Sequence, residues 1–267
     1  MAESLGYRPD PVAQMLTRGR SMSIGILTPR RLEAVFANPF YAELTASVGK
    51  AADAFGLSVG FVSPLHGSLA HAMGRAVADG VIAIGLTLEH PEVEEIRRAG
   101  LPIVLVDSEG LSGAPSVTVD DEAGAAAAAR HLVGLGHREI LVVAFEPALP
   151  TDRREPHEVF SARLRGYRSA LAEAGIELPD GHVVMGPSDA PGGRTAFENA
   201  WEDGLRPTGV LAMSDVMALG VMRAARDLGL AVPADLSVVG FDGIALGGYV
   251  APSLTTVQQP IAGKGTE

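Results

Sequence analysis

From Ser23 onward the chain alternates short β-branched apolar runs with longer stretches whose apolar residues recur at the 3.6-residue helical period. The runs lie at 23–28, 57–62, 81–86, 102–107, 140–145, 183–185, 210–213 and 236–241. The helical stretches lie at 39–55, 68–78, 91–99, 122–135, 158–174, 193–203 and 216–228. Strand and helix repeated in this order predict parallel sheets joined by right-handed crossovers. About ten strands and seven or more helices fit two doubly wound α/β lobes better than one large lobe. A cleft between such lobes would gather the carboxyl ends of both sets of strands around one site.

Glycine punctuation divides this pattern. Gly134-Leu135-Gly136-His137 ends a helix before a new strand begins, which predicts the passage from a first lobe (22–136) to a second (137–257). A second crossing is expected near Thr255-Thr256-Val257-Gln258-Gln259-Pro260. Residues 258–267 are a truncated crossover tail whose last residues, 261–267, are polar and glycine-rich with no apolar stripe, which predicts poor order there. Residues 1–21 lack the alternation of the remaining chain. Asp10 can cap a short helix with Pro11 at its first position, Val12, Ala13 and Leu16 share one face, and Arg18-Gly19-Arg20 ends it. So short a helix forms only against a partner.

Composition narrows the class. The 267 residues suffice for two lobes with cores of their own, and abundant Ala and Gly with few aromatics suit helices packed closely on sheets. No apolar stretch reaches the roughly 18 residues needed to span a bilayer. The first residues lack the apolar core of a signal peptide, so a cytoplasmic location and no membrane partner are expected. The absence of Cys excludes disulfides and thiolate metal sites and agrees with a reducing compartment. A net charge of -11 argues against a chain that coats nucleic acid, but the charge is uneven. Residues 1–31 hold five arginines against Glu3 and Asp10, a balance of +3 that leaves -14 for the remainder. A basic end on an acidic body fits a DNA-facing segment joined to a soluble domain, although five arginines in thirty residues also occur on an ordinary surface.

Leu5-Gly6-Tyr7-Arg8-Pro9-Asp10-Pro11-Val12-Ala13-Gln14-Met15-Leu16 resembles the linker and hinge helix of the LacI/GalR repressors. The resemblance continues through Asn38-Pro39-Phe40-Tyr41-Ala42-Glu43-Leu44, Ala78-Asp79-Gly80-Val81-Ile82 and Leu135-Gly136-His137-Arg138-Glu139-Ile140. It is carried further by Arg163-Leu164-Arg165-Gly166-Tyr167, Ser214-Asp215-Val216-Met217-Ala218-Leu219-Gly220, the segment from Val232 to Asp242, and Leu254-Thr255-Thr256-Val257. One such motif is weak; the set, in the family's order and spacing, is strong. The resemblance implies a homodimeric repressor with a two-lobed, periplasmic-binding-protein-like (type I) core that closes on a small polar effector, a sugar or a nucleoside-like molecule. Closure would shift the hinge helices on or off operator DNA, with Leu16 as the minor-groove wedge and Ala13 and Arg8 beside it. The dimer interface is expected on the exposed faces around 68–78 and 216–228.

Two departures from the family stand out. The helix-turn-helix that would precede Glu3 is absent except for its last few residues, and the family continues beyond Pro260 with a further helix and strands. The chain as given is therefore expected to bind operator weakly or not at all.

The implied effector residues are named by position. Asp107 and Asp242 each end a strand, and Asp242 matches the family's carboxylate that accepts hydrogen bonds from ligand hydroxyls or ring nitrogens; a turn or cap is its structural alternative. Arg163 corresponds to the family's ligand-contacting arginine, whose donor fork suits adjacent sugar oxygens or a carboxylate; its alternative is a surface ion pair. Phe40 and Tyr41 align with positions that stack on or border the ligand, though apolar residues there are also commonly core. Asp120 and Ser188 complete the set. Ser214 stands where the family has Asn, which replaces an amide by a hydroxyl, and Asp215 is expected to cap the next helix.

Catalytic patterns are not found. The sequence holds no Gly-x-Ser-x-Gly elbow, no phosphate loop and no Gly-x-Gly-x-x-Gly; Gly263-Lys264-Gly265 lacks the upstream glycine and following hydroxyl, and His157-Glu158 lacks a second His. No enzyme activity, cofactor or metal site is expected. A solute-binding protein with the same two-lobed fold is the alternative, against which stand the missing signal peptide and the Tyr7-to-Leu16 segment. An α/β enzyme such as a sugar kinase or hydrolase is disfavoured by the missing motifs.

Overall fold

The computed structural model describes residues 15, 17, 19–64, 68–74, 77–86, 91–98, 100–108, 114–146 and 158–267. Arg8, Ala13 and Leu16, the expected hinge contacts, lie outside the described residues, as does His157. The first lobe is built on strands β1 (Ser23–Leu27), β2 (Ser58–Val62), β3 (Gly80–Ile84), β4 (Ile103–Val106) and β5 (Ser116–Val117). Around them lie helices α1 (Leu32–Ala37), α2 (Pro39–Ala54), α3 (Leu69–Met73) and α4 (Pro91–Arg98). The sheet order is β2-β1-β3-β4-β5, with every pair parallel.

The second lobe repeats that plan. Its strands are β6 (Ile140–Phe145), β7 (Val183–Gly186), β8 (Gly209–Ala212), β9 (Ser237–Asp242) and β10 (Thr255–Gln258), ordered β10-β9-β8-β6-β7, again all parallel. Its helices are α5 (Asp121–Gly134), α6 (Glu158–Glu173), α7 (Ala190–Glu202) and α8 (Asp215–Asp227). Strands covered on both faces carry continuous apolar runs. In β6, Ile140, Val142 and Ala144 face the α5–α6 layer, while Leu141 and Val143 face the α7–α8 layer. Both sheets reverse strand order at one point, between β1 and β3 and between β6 and β8. The two-lobed α/β architecture expected from the strand and helix periods is therefore the observed one.

Three local expectations are corrected. The first concerns the boundary at Gly134–His137: α5 already belongs to the second lobe, because Ala125, Ala128, Ala129 and Leu132 pack with Val142, Tyr167 and Phe241. The chain crosses earlier, between β5 and α5. A glycine-ended helix before a strand looks the same whether or not the chain changes lobe, and β5, two residues long, carries no periodic signal.

The second correction concerns the tail. Residues 258–267 include the end of β10 and a helix, α9 (Ile261–Thr266), that packs on α2 of the first lobe. Ile261 enters the first lobe's core, and Gly265 lets the backbones meet, since a Cβ there would lie 2.5 Å from Ser47 Cβ. Close backbone approach and one buried Ile thus replace the apolar stripe the sequence lacks. Third, Ser214, and not Asp215, caps α8, with its hydroxyl accepting from Met217 N.

The lobes also touch directly. Ile244 and Leu219 of the second lobe pack against the core of the first, and Ala245 N donates to Glu43 Oε1 at 2.9 Å. Among the described residues no helix is long and apolar enough to cross a membrane.

Gly166 sets the close approach of one helix pair of the second lobe. A Cβ there would fall 2.2 Å from Glu122 O, so α5 and α6 approach backbone to backbone. We expect Gly166→Ala to destabilise the chain by about 1–3 kcal/mol in urea unfolding. Gly49→Ala, on α2 with nothing within 4 Å of the added carbon, should be neutral or stabilise by up to ~1 kcal/mol. Equal effects at both sites would refute the packing argument.

Candidate effector site

The two switch points face one another across a cleft. From the first lobe come residues at the carboxyl ends of β1 (Pro29, Arg30) and β3 (Ile84, Gly85); from the second come those at the carboxyl ends of β6 (Phe145, Glu146) and β8 (Met213, Ser214). This placement follows from topology, because neighbouring loops at a switch point leave in opposite directions and open a crevice at the strand ends. Helix starts supply further walls. Asn38 caps α2 through Oδ1, which accepts from Phe40 N at 3.0 Å, and so turns Phe40 and Tyr41 to the cleft wall. Arg30 crosses the opening with its guanidinium 5.9 Å from the Phe145 ring centroid.

The floor is charged and buried. Asp107, at the end of β4, and Asp242, the last residue of β9, both hold positive φ (57° and 141°), which non-glycine residues rarely adopt. Arg163, only 4% exposed, donates from Nε to Asp121 Oδ1 at 2.8 Å and from Nη1 to Met213 O; Nη1 also lies 3.9 Å from Asp242 Oδ1. Its guanidinium stacks 3.6 Å over the Phe241 ring. Gln259 Nε2 donates to Asp242 Oδ1 at 2.8 Å, and Gln259 Oε1 accepts from Lys264 Nζ at 2.5 Å. Lys264 Nζ also pairs with Asp107. One chain of contacts thus runs from Asp107 of the first lobe through Lys264, Gln259 and Asp242 to Arg163 and Asp121 of the second. Asp215 sits beneath it and accepts from Gly243 N at 2.7 Å, from Ile244 N at 2.9 Å and from the Thr256 hydroxyl.

Burial sets the protonation of this floor. It pushes the Asp242 carboxyl up to about 8, against the pull of Arg163, with Asp215 adding to the rise. Burial also raises Asp121, opposed by Arg163, and Asp215, opposed by Thr256 and the two backbone donors. Burial works against the Arg163 charge, but Asp121 and Asp242 outweigh it. The Tyr167 hydroxyl, fully buried on α6, has no hydrogen-bond partner among the described residues.

Of the residues singled out in the sequence, Asp242, Arg163, Phe40, Tyr41, Asp107, Ser188 and Ser214 all border the cleft. Asp120 does not: its side chain caps α5, accepting from Ala123 N at 2.8 Å, and it borders a separate depression near the first crossing. Arg163 is a buried residue and not a surface ion pair. Sequence reasoning passes over Asp121, Gln259 and Lys264. The adjacent Asp120 draws the attention due to Asp121, Gln259 reads only as part of a crossing, and Lys264 as part of a failed phosphate loop. Among the described residues no group of three or more histidines or carboxylates is arranged to hold a metal ion.

Between pH 4 and 8 the folded chain keeps a proton on Asp242 that the unfolded chain releases, so stability falls as pH rises through that window. Unfolding free energy should drop by a few kcal/mol from pH 5.5 to 8.5, and less steeply in Asp242→Asn; identical slopes would refute the assignment. Removing the Arg163 side chain leaves Asp121 and Asp242 buried beside an empty space. Arg163→Ala should therefore lose about 3–5 kcal/mol in chemical denaturation, and a change under 1 kcal/mol would contradict this pairing.

Comparison with known proteins is consistent with this geometry. Residues 129–267 match the family model described as a periplasmic binding protein-like domain. Catabolite control protein A of Priestia megaterium is 33% identical over 267 residues, covering 97% of this chain and 76% of that protein. Among solved structures, a complex of the transcriptional regulator CelR with cellobiose aligns with a TM-score of 0.79 at 27% identity, covering 99% of this chain and 78% of that one. A LacI family regulator from Enterococcus faecium with bound ribose aligns with a TM-score of 0.74 at 26% identity, covering 91% of this chain and 86% of that one. Taken with the strand order and the cleft at the paired switch points, these likenesses show that the chain belongs to the LacI family of transcriptional regulators, which are not enzymes.

Proposed function

We propose that the cleft binds a small polar effector, a sugar or a nucleoside-like molecule, and that its occupancy is coupled to operator DNA through the hinge segment of residues 1–21. The observation that carries this reading is the convergence of both switch points on one cleft whose floor ends in Asp242 and whose walls are Phe40, Tyr41, Phe145 and Met213. Apolar faces with a few fixed polar groups suit a ring that is flat on its faces and hydroxylated at its edge. The cellobiose and ribose held by the two similar proteins have this character.

Within this reading each residue has a role. Asp242 meets ligand hydroxyls or ring N–H groups, and Ser188 and Ser214 supply hydroxyls from the second lobe. Asp107 closes the first lobe's side. Arg163 acts mainly by holding Asp242 in place, since its Nε and Nη1 are already engaged, and Nη2 is the donor left for a ligand. The ligand changes DNA affinity only by as much as it discriminates between two lobe arrangements. The DNA side falls to Leu16, Ala13 and Arg8. The working form is a homodimer in the cytoplasm that meets its partner through the faces around 68–78 and 216–228, near the exposed Val77 and Leu228.

The test is thermal denaturation of this chain with ribose, cellobiose, nucleosides and purines. A compound at 100 times its Kd should stabilise the fold by about 2.7 kcal/mol. Asp242→Asn should abolish that gain while Gly49→Ala keeps it. A folded sample that responds to none of these compounds, or a response that survives in Asp242→Asn, would overturn the assignment.

A further inference from the structure

Lys264 is the one buried lysine of the cleft floor among the described residues, with its side chain 1% exposed on a helix of six residues. Its ammonium lies 5.7 Å from the Phe40 ring centroid and donates to Asp107 and to Gln259 Oε1. A lysine offers three donors and no acceptor. Of the Gln259 amide, therefore, only the oxygen can face it, and the Nε2 end must turn to Asp242, where it donates at 2.8 Å to Oδ1. The orientation of a glutamine amide is ordinarily ambiguous; here a neighbour of fixed polarity decides it.

We propose that Lys264 is a positioning residue that acts through Gln259 to fix the hydrogen-bond polarity at Asp242, favouring the ionised, accepting carboxylate over its protonated form, so that effectors which donate to the carboxylate are selected. Hydroxyls and ring N–H groups fit such a floor; carbonyl oxygens and unprotonated ring nitrogens at the same position do not. Without Lys264, the Gln259 amide is free to turn over and accept from a protonated Asp242. That state lies close at hand, since burial holds the carboxyl up to about 8. The protonated, donating form would then gain a partner in Gln259, and discrimination between effectors would fall. The consequence for effectors rests on the functional reading above. The polarity itself does not.

The groups facing Asp242 come from several elements. Arg163 and Tyr167 lie on α6, Asp215 begins α8, Asp107 follows β4, and Lys264 approaches from α9. A direct charge effect of Lys264 on Asp242 must therefore be separated from relay through the amide. A double-mutant cycle does so.

The measurement is the titration of the Asp242 carboxyl by 13C NMR in the ligand-free chain, with the resonance assigned by its loss in Asp242→Asn. Four proteins are compared: the natural sequence, Lys264→Met, Gln259→Met and the double variant, each shown to be folded by circular dichroism. Lys264→Met should raise the midpoint by roughly one pH unit when Gln259 is present, because a donor to the ionised form is lost. In the Gln259→Met background the same change should move it by less than a third as much. No rise in the first comparison, or equal rises in both, would overturn the relay. Should Lys264→Met fail to fold because Asp107 is left unpaired, Lys264→Met with Asp107→Asn is measured against Asp107→Asn alone in both backgrounds, and the same two outcomes decide. No effector is added at any step, so a silent sugar panel and a failed cycle are separate results.

Discussion

Two buried cations, Arg163 and Lys264, make the centre of this molecule possible. Parallel strands point their carboxyl ends into the cleft, and the aspartates there arrive from four places: Asp107 after β4, Asp121 at the start of α5, Asp215 at the start of α8 and Asp242 at the end of β9. An unpaired ion withdrawn from water is unfavourable by several kcal/mol, and pairing offsets this only where geometry is good and the remaining lone pairs are satisfied. Arg163 meets this requirement with Nε on Asp121 and Nη1 near Asp242 while its flat face lies on Phe241. Lys264 meets it at the other end with Asp107 and Gln259.

That charged chain has a structural consequence. Asp107 belongs to the first lobe, Asp242 and Arg163 to the second, and the linking residues Gln259 and Lys264 to the segment that returns from second to first. The polar floor and the crossing are therefore one feature. Its flanks are apolar, since Ile244 and Ile261 join the first lobe's core from the other side of the crossing. A shift of the lobes must move the buried polar chain and this apolar contact together. Packed cores resist gradual deformation, so the pair is suited to a few discrete arrangements and not to a continuum.

Much of this is legible in the sequence, and the misses share a cause. The apolar runs name the strands because parallel strands are buried on both faces, and a carboxylate that closes such a run, as Asp242 does, is placed at the cleft by topology alone. Angular phase at helix starts is not legible. Asp120 and Asp121 are neighbours of one type, yet the first caps α5 from outside and the second turns inward to Arg163. Ser214 and Asp215 repeat the arrangement in α8: the first caps, and the second is buried among backbone donors. One residue of helix turns a side chain by about 100°, and composition does not report where the turn begins. The alanine face of α5 is visible but fits either sheet equally well, which is why the sequence misplaces the lobe boundary. Lys264 is hidden by a rule sound on average, that lysines are solvated, and by flanking glycines that resemble a loop until the backbone of Gly265 is seen against α2.

Among the described residues the floor is also short of positive charge, and this bears on why it should bind anything. Asp121, Asp215 and Asp242 are buried and Asp107 is half-buried, against two cations. Asp215 draws enough from Gly243 N, Ile244 N and Thr256 to need little else. Asp121 has the best of Arg163, and Asp107 the ammonium of Lys264. The shortfall comes to rest on Asp242, whose one close side-chain donor among the described residues is an uncharged amide and whose guanidinium neighbour stands off at 3.9 Å. A buried carboxyl in that position gains from any further donor that reaches it, and the side left open is the cleft. Interactions that the fold cannot complete by itself are the ones a ligand can complete, and a ligand that does so in only one lobe arrangement favours that arrangement by the free energy of the bond it adds.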